Sequence, residues 1–342
     1  MPAFFLAVLL LSTIALTFRL VYLTVRCDPV VWMGRRVAGD ALGIGVVGLI
    51  AAALVSLVAT GTAQSGLGVP DGPLADELTD LLLFVAIGFA AQLVDGAIGM
   101  AYGVTATTTL LSLGVTPAVA SASVHAAELF TTGASGIAHW RFRNIDTALL
   151  RRLALPGMIG GAAGACVLTA VPGETIRPFV SVYLLAMGGV VLWRALRPPP
   201  PAGAPPRRVP LLGLGGGFLD AVGGGGWGPV VTSTLVGQGT TPRYAIGSTN
   251  LAEFFVTLTI TATFVTTIGL ELWPVIAGLV LGGVLAAPFA GYVTQRLPDR
   301  PPMILLAVVI ILLSLRGVLQ TLSQLLPREQ RAAPRRAHSP GR

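Results

Sequence analysis

Six side chains that ionise or hydrogen-bond strongly are set inside apolar sequence: Asp95, His125, Glu128, Asp220, Asn250 and Glu253. A carboxylate within a membrane segment costs roughly 2.5–3.5 kcal/mol even on lenient insertion scales, so each must face a cavity, find a partner or hold a proton. Asp95 and Asp220 could couple protons, or each could cap the helix that follows by accepting its free N–H groups. Glu128 and Glu253 stand three residues after His125 and Asn250, a spacing that puts each pair on one helical face. His125 titrates near neutral pH and could relay a proton to Glu128. The same groups could instead form a hydrogen-bonded clamp between helices. Ser123 and Ser248 lie five residues before each Glu, about 140° round a helix, and need not share its face.

These residues belong to a repeat. Asp95-Gly-Ala-Ile-Gly99-Met-Ala-Tyr102-Gly103 is followed by Thr107-Thr-Thr-Leu110, Gly114-Val-Thr-Pro117 and His125-Ala-Ala-Glu128. At an offset of 125 residues, Asp220-Ala-Val-Gly223-Gly224-Gly225-Gly226-Trp227-Gly228 is followed by Thr232-Ser-Thr-Leu235, Gly239-Thr-Thr-Pro242 and Asn250-Leu-Ala-Glu253. Two apolar halves, each with a glycine-broken and polar segment, point to a transporter whose site lies between repeats. Hydroxyls after each break (Thr105, Thr107, Thr232 and their neighbours) and the N–H groups of a helix start could cradle an anion. Back-bonding within membrane helices explains the same hydroxyls. Tyr102 and Trp227 match in position and could wall a small pocket or anchor at the interface.

The elements that must position these groups are membrane helices. The 342 residues are 54% hydrophobic and 11% charged, with mean hydropathy +0.80. Soluble domains carry roughly 25% charged residues. The net charge of +7 comes from arginines in loops and tail, which orient helices, and does not suggest nucleic acid. Cys27 and Cys166 have no metal or disulfide spacing. Hydropathy predicts helices over Phe4–Val25 (a retained helix rather than a signal peptide), Val37–Thr60, Leu78–Val94, Tyr102–Leu113, Pro117–Ala138, Thr147–Val171, Ile176–Leu196, Val209–Val222, Pro229–Val236, Pro242–Ile268, Leu272–Gln295 and Pro302–Leu325. The short members flank Asp95 and Asp220, so each half contains a broken helix or a re-entrant hairpin. The organisation expected is a helical pair with its loop over 1–77, repeat 1 over 78–197, a Pro-rich linker over 198–208, repeat 2 over 209–326, and a basic disordered tail over 327–342. Arginines favour cytoplasmic loops near Arg35, Arg141 and Arg197, whereas Thr266 to Leu272 has none, which suggests an inverted second repeat. Inversion also puts the arginine-rich tail outside, against the same rule.

Gly99 to Gly103 with Gly114 to Ala120, and Gly223 to Gly228 with Gly239 to Ala245, resemble the repeated motif of the sulfite exporter TauE/SafE family of bacterial membrane permeases. The strings Phe218-Leu-Asp-Ala-Val-Gly-Gly-Gly-Gly-Trp-Gly-Pro229 and Ala245-Ile-Gly-Ser-Thr-Asn-Leu-Ala-Glu253 are the specific part, and the likeness spans about 78 to 325. It implies transport of sulfite, sulfoacetate or a related organosulfonate without a cofactor. The chain departs from the family pattern at Met100, Ala101 and Tyr102, and in carrying Asp95 and His125. Two ionised carboxylates near an anion would repel it, so the carboxyls must be neutral in some states, coupled to an ion, or set back as caps.

The expectation is an all-α polytopic inner-membrane permease of two pseudo-symmetric halves, not an enzyme, embedded in the lipid bilayer. Its anion would bind at Gly99, Tyr102, Gly103, Thr107, Ser123, Gly223, Gly224, Gly225, Gly226, Trp227, Gly228, Thr232, Ser248 and Asn250. Asp95, His125, Glu128, Asp220 and Glu253 would gate or carry protons. Gly160-Gly161 and Gly282-Gly283 could let helices pack closely within one chain or across a homodimer. A divalent-cation permease using the same His, Asp and Glu is the rival within transport, although Asn250 removes a second His-x-x-Glu ligand set. A non-transporting subunit of a membrane complex is the rival outside it.

Overall fold

Apolar side chains cover the outside of the bundle and polar ones fill its centre. Leu155, Ile159, Phe179, Leu211 and Leu312 are each more than half exposed, while His125, Glu128, Asp220, Thr107 and Ser248 are buried. Water would reverse that distribution; lipid accounts for it. This computed structural model describes residues 74–98, 102–197, 207–269, 273–296 and 300–325. The predicted helices Phe4–Val25 and Val37–Thr60, Gly99, most of the linker and the tail lie outside the described residues.

The described residues are helical, with no strand among them. They form α1 (Leu74–Ile98), α2 (Tyr102–Ser112), α3 (Pro117–Arg141), α4 (Thr147–Ala170) and α5 (Gly173–Leu196). After the linker come α6 (Val209–Gly223), a π-helical turn (Gly228–Thr232) that runs into α7 (Ser233–Gly237), α8 (Pro242–Thr267), α9 (Trp273–Arg296) and α10 (Arg300–Leu325). Helices α1 and α3 run several residues past their predicted ends. The segment predicted as one helix over Pro229–Val236 divides into the π turn and α7, with Pro229 in the first turn, where its missing N–H costs nothing.

Glycines set the helix directions by allowing close contact. A Cβ on Gly160 would overlap the Leu214 carbonyl, and one on Gly164 would meet the Phe218 carbonyl, so α4 and α6 run parallel. Gly157 meets Val256 and Gly161 meets Ile260, so α4 and α8 are parallel too. Gly133 faces Phe254 and Gly136 faces Leu251, which makes α3 and α8 antiparallel. Likewise Gly188 faces Ile310 and Ile311 while Gly317 faces Ser181, so α5 and α10 are antiparallel. Helices α1 and α9 pack closely through Gly88, Gly278 and Gly282. The glycines at 160–161 and 282–283 thus serve packing within the chain. Because α6 and α8 both run with α4, the short segment between them must run back, as the return arm of a hairpin.

Candidate functional site

The second break is built from the end of α6. Gly224 closes that helix in the left-handed conformation at φ +68°, and Gly225 follows at φ +136°, backbone that only glycine adopts without strain. The N–H of Gly225 donates to the Asp220 carbonyl at 3.0 Å. One turn back, the Asp220 carboxylate spans the break, and its Oδ1 accepts the Trp227 backbone N–H at 3.0 Å. The first break repeats this bond, with Tyr102 N–H donating to Asp95 Oδ1 at 3.0 Å. Both aspartates therefore act on the helix start seven residues on, which is capping chemistry.

The two breaks touch. A Cβ on Gly103 would lie 2.6 Å from Gly225 Cα and 2.7 Å from Glu128 Oε1. One on Gly225 would overlap the backbone of Gly103 and Val104. Thr107 Oγ1 donates to the Gly224 carbonyl, and the Tyr183 hydroxyl donates to the Gly225 carbonyl at 3.3 Å. Carbonyls freed by the second break are thus held by hydroxyls from α2 and α5.

Two residues of α3 bring charge to this junction. Glu128 Oε1 lies against Gly103, while its Oε2 is buried without a partner among the described residues. Such an atom is costly unless it is protonated or finds a partner in another state. His125 is fully buried, and its Nε2 lies 3.3 Å from Asp220 Oδ2. Its Nδ1 lies 2.8 Å from the Ser121 carbonyl oxygen, which can only accept, so Nδ1 carries a hydrogen. The Ser121 hydroxyl donates in turn to the Ala221 carbonyl at 2.6 Å. A bond between Nε2 and Oδ2 then needs one further proton, held as imidazolium with carboxylate or as imidazole with carboxylic acid. The pair is a buried imidazole–carboxylate contact that joins α3 to the end of α6.

The junction gathers Asp95, Tyr102, Gly103, Thr107, His125, Glu128, Asp220 and the glycines 223–226. Trp227 is fully buried beside it, with Nε1 donating to the Thr249 carbonyl at 3.1 Å. Thr232 donates to Thr249 Oγ1 at 2.9 Å. Gly228 is buried in the π turn. Ser123 is buried on α3 and Glu253 half-buried on α8. Ser248 is turned elsewhere: its hydroxyl accepts the Asp146 N–H at 2.9 Å and ties α8 to the α3–α4 loop. Asn250 bonds the Ile246 carbonyl at 2.9 Å and takes a hydrogen bond from Ser135 at 3.3 Å, again between α3 and α8. Sequence reasoning missed Ser121, Tyr183 and Thr249. Only a hydroxyl inside an apolar helix marked them.

A buried polar junction between two glycine breaks, in a helical bundle with an apolar exterior, is the build of a helical membrane protein, and the family it matches makes it a membrane transporter. The family model for the sulfite exporter TauE/SafE matches residues 84–317, and the chain belongs to that family. It is similar to the probable membrane transporter protein YtnM of Bacillus subtilis (strain 168), with 43% identity over 249 residues that cover 70% of this chain and 83% of the relative. No solved structure matches it.

Proposed function

We propose that the chain is a secondary permease that moves a small sulfur oxyanion, sulfite or an organosulfonate, across the bacterial inner membrane. Its path runs where the two glycine breaks meet. The observation that carries this reading is the contact of Gly103 with Gly225, flanked by the His125–Asp220 pair and the unpartnered Glu128 oxygen.

Two pseudo-symmetric, inverted repeats are supported by helix direction. Under the 125-residue offset α3 corresponds to α8, and by order α5 corresponds to α10. Both corresponding pairs cross antiparallel, as halves of opposite membrane orientation must. The same correspondence turns α1 on α9 into α6 on α4, and both contacts occur. Each half then contributes one re-entrant hairpin, and the hairpin tips meet head to head.

In this packed state Asp95 and Asp220 occupy the N–H groups that an anion would seek. Transport therefore requires the tips to part, exposing backbone N–H groups and the Thr107 and Thr232 hydroxyls. A proton gained by the His125–Asp220 pair or by Glu128 lowers the negative charge an entering anion meets, which couples anion to proton movement. Uptake of sulfite and sulfoacetate by proteoliposomes holding only this protein, with and without an imposed pH gradient, tests the reading. Saturable flux that rises with the gradient is expected. Gradient-independent flux would remove the proton role, and the absence of flux for both anions would remove the function.

A further inference from the structure

A second polar site lies outside the junction, in a cleft between α2, α5 and α10. Arg177 in the first turns of α5 and Arg316 near the end of α10 line it, together with Thr108, Ser112, Ser181 and Ser314. Since α5 and α10 are antiparallel, both arginines lie toward the same end of the bundle. Among the described residues no acidic side chain lines the cleft.

Part of this lining has a structural task. Arg177 Nη2 donates to the Leu111 carbonyl at 2.7 Å, closing the C-terminal end of α2, where carbonyls lack helical partners. The Thr108 hydroxyl is spent on the Val104 carbonyl at 2.6 Å, and that of Ser112 on the Thr109 carbonyl at 2.7 Å. Ser314 is different. It is 3% exposed, lines the cleft, and its hydroxyl has no hydrogen-bond partner among the described residues. Two guanidinium groups without a lining carboxylate, beside an unused buried hydroxyl, call for a ligand rich in acceptors.

We propose that this cleft binds a small oxyanion and forms a way-station between the end of the bundle that carries Arg177 and the junction. The cleft is one helix wall from the break: Thr108 faces it, while the preceding Thr107 holds the Gly224 carbonyl. Its present volume of about 20 Å³ admits one water-sized group. Binding rests on the cleft alone; its place on the transport path rests on the permease reading.

The test uses full-length protein in detergent and in proteoliposomes, with sulfite as probe. Equilibrium sulfite binding is measured for wild type, Arg316→Gln, Arg316→Lys and Ser314→Ala, alongside thermal unfolding and flux. Arg316→Gln is expected to weaken binding by at least about tenfold, as the loss of a charge-assisted hydrogen bond implies, and Arg316→Lys to recover part of it. Ser314→Ala should weaken binding without lowering the unfolding midpoint, because it removes an unpartnered hydroxyl; a purely structural role would leave binding unmoved. Unchanged sulfite binding in both Arg316→Gln and Ser314→Ala overturns the proposal. Arg316-dependent binding in a protein that carries no flux would sustain the cleft and overturn the permease reading. Flux whose half-saturating sulfite concentration ignores Arg316→Gln would take the cleft off the path.

Discussion

The first and second breaks use one backbone device and different charge chemistry. In both, an aspartate accepts the N–H of an aromatic residue seven positions on, at the same 3.0 Å. The helices packed over them differ. Helix α3 brings His125 onto Asp220 and Glu128 onto Gly103, whereas α8 brings Asn250, which is spent on Ile246 and Ser135. The capping bond is thus the shared architecture of a membrane helix start, and the protonatable pair is particular to one side. Carboxylates at equivalent positions need not do equivalent work.

That comparison can be broken at its steric base. Gly225→Ala should have the largest effect, combining positive-φ strain of about 1–3 kcal/mol with overpacking of similar size against Gly103. Loss of folded protein in size-exclusion chromatography, or of all flux, is expected; a wild-type profile and flux would mean that the tips do not meet as described. Next come Asp220→Asn and Asp95→Asn. Both keep an oxygen to accept the capped N–H, so both should fold, but only the first removes the carboxylate that faces His125. Flux should fall at least about tenfold more in Asp220→Asn, as the loss of a buried charge-assisted bond implies. Equal losses would return both residues to plain caps.

His125→Asn makes α3 resemble α8. Flux should persist at reduced rate while its dependence on pH flattens, read as initial sulfite uptake across a pH series. A wild-type pH profile in this variant would show that the proton resides elsewhere. The smallest effect on flux belongs to Thr249→Val, which removes the hydroxyl that accepts from Thr232 and donates to the Ala245 carbonyl and should cost about 1–3 kcal/mol of stability with flux retained.

Much of this was legible in the sequence because it is local. The 125-residue offset, the aspartates before glycine runs and the short helices beside them follow from spacing, and Asp95 and Asp220 do span their breaks. Pairing across the bundle was not legible. His125 and Glu128 share a helical face, but their partners, Asp220 and Gly103, sit on two other elements that only packing brings together. Ser248 matches Ser123 in register, yet it is consumed by the Asp146 backbone at a loop that periodicity cannot locate. Arg177 and Arg316 carried no signal in the sequence, because only the antiparallel packing of α5 and α10 brings them to one cleft.

The most direct measurement is proton movement during sulfite uptake, followed with a pH-sensitive dye trapped in proteoliposomes of wild type and His125→Asn. The account predicts that sulfite drives a change of internal pH in wild type and that the change per sulfite falls sharply in the variant. An equal change per sulfite in both proteins would contradict it.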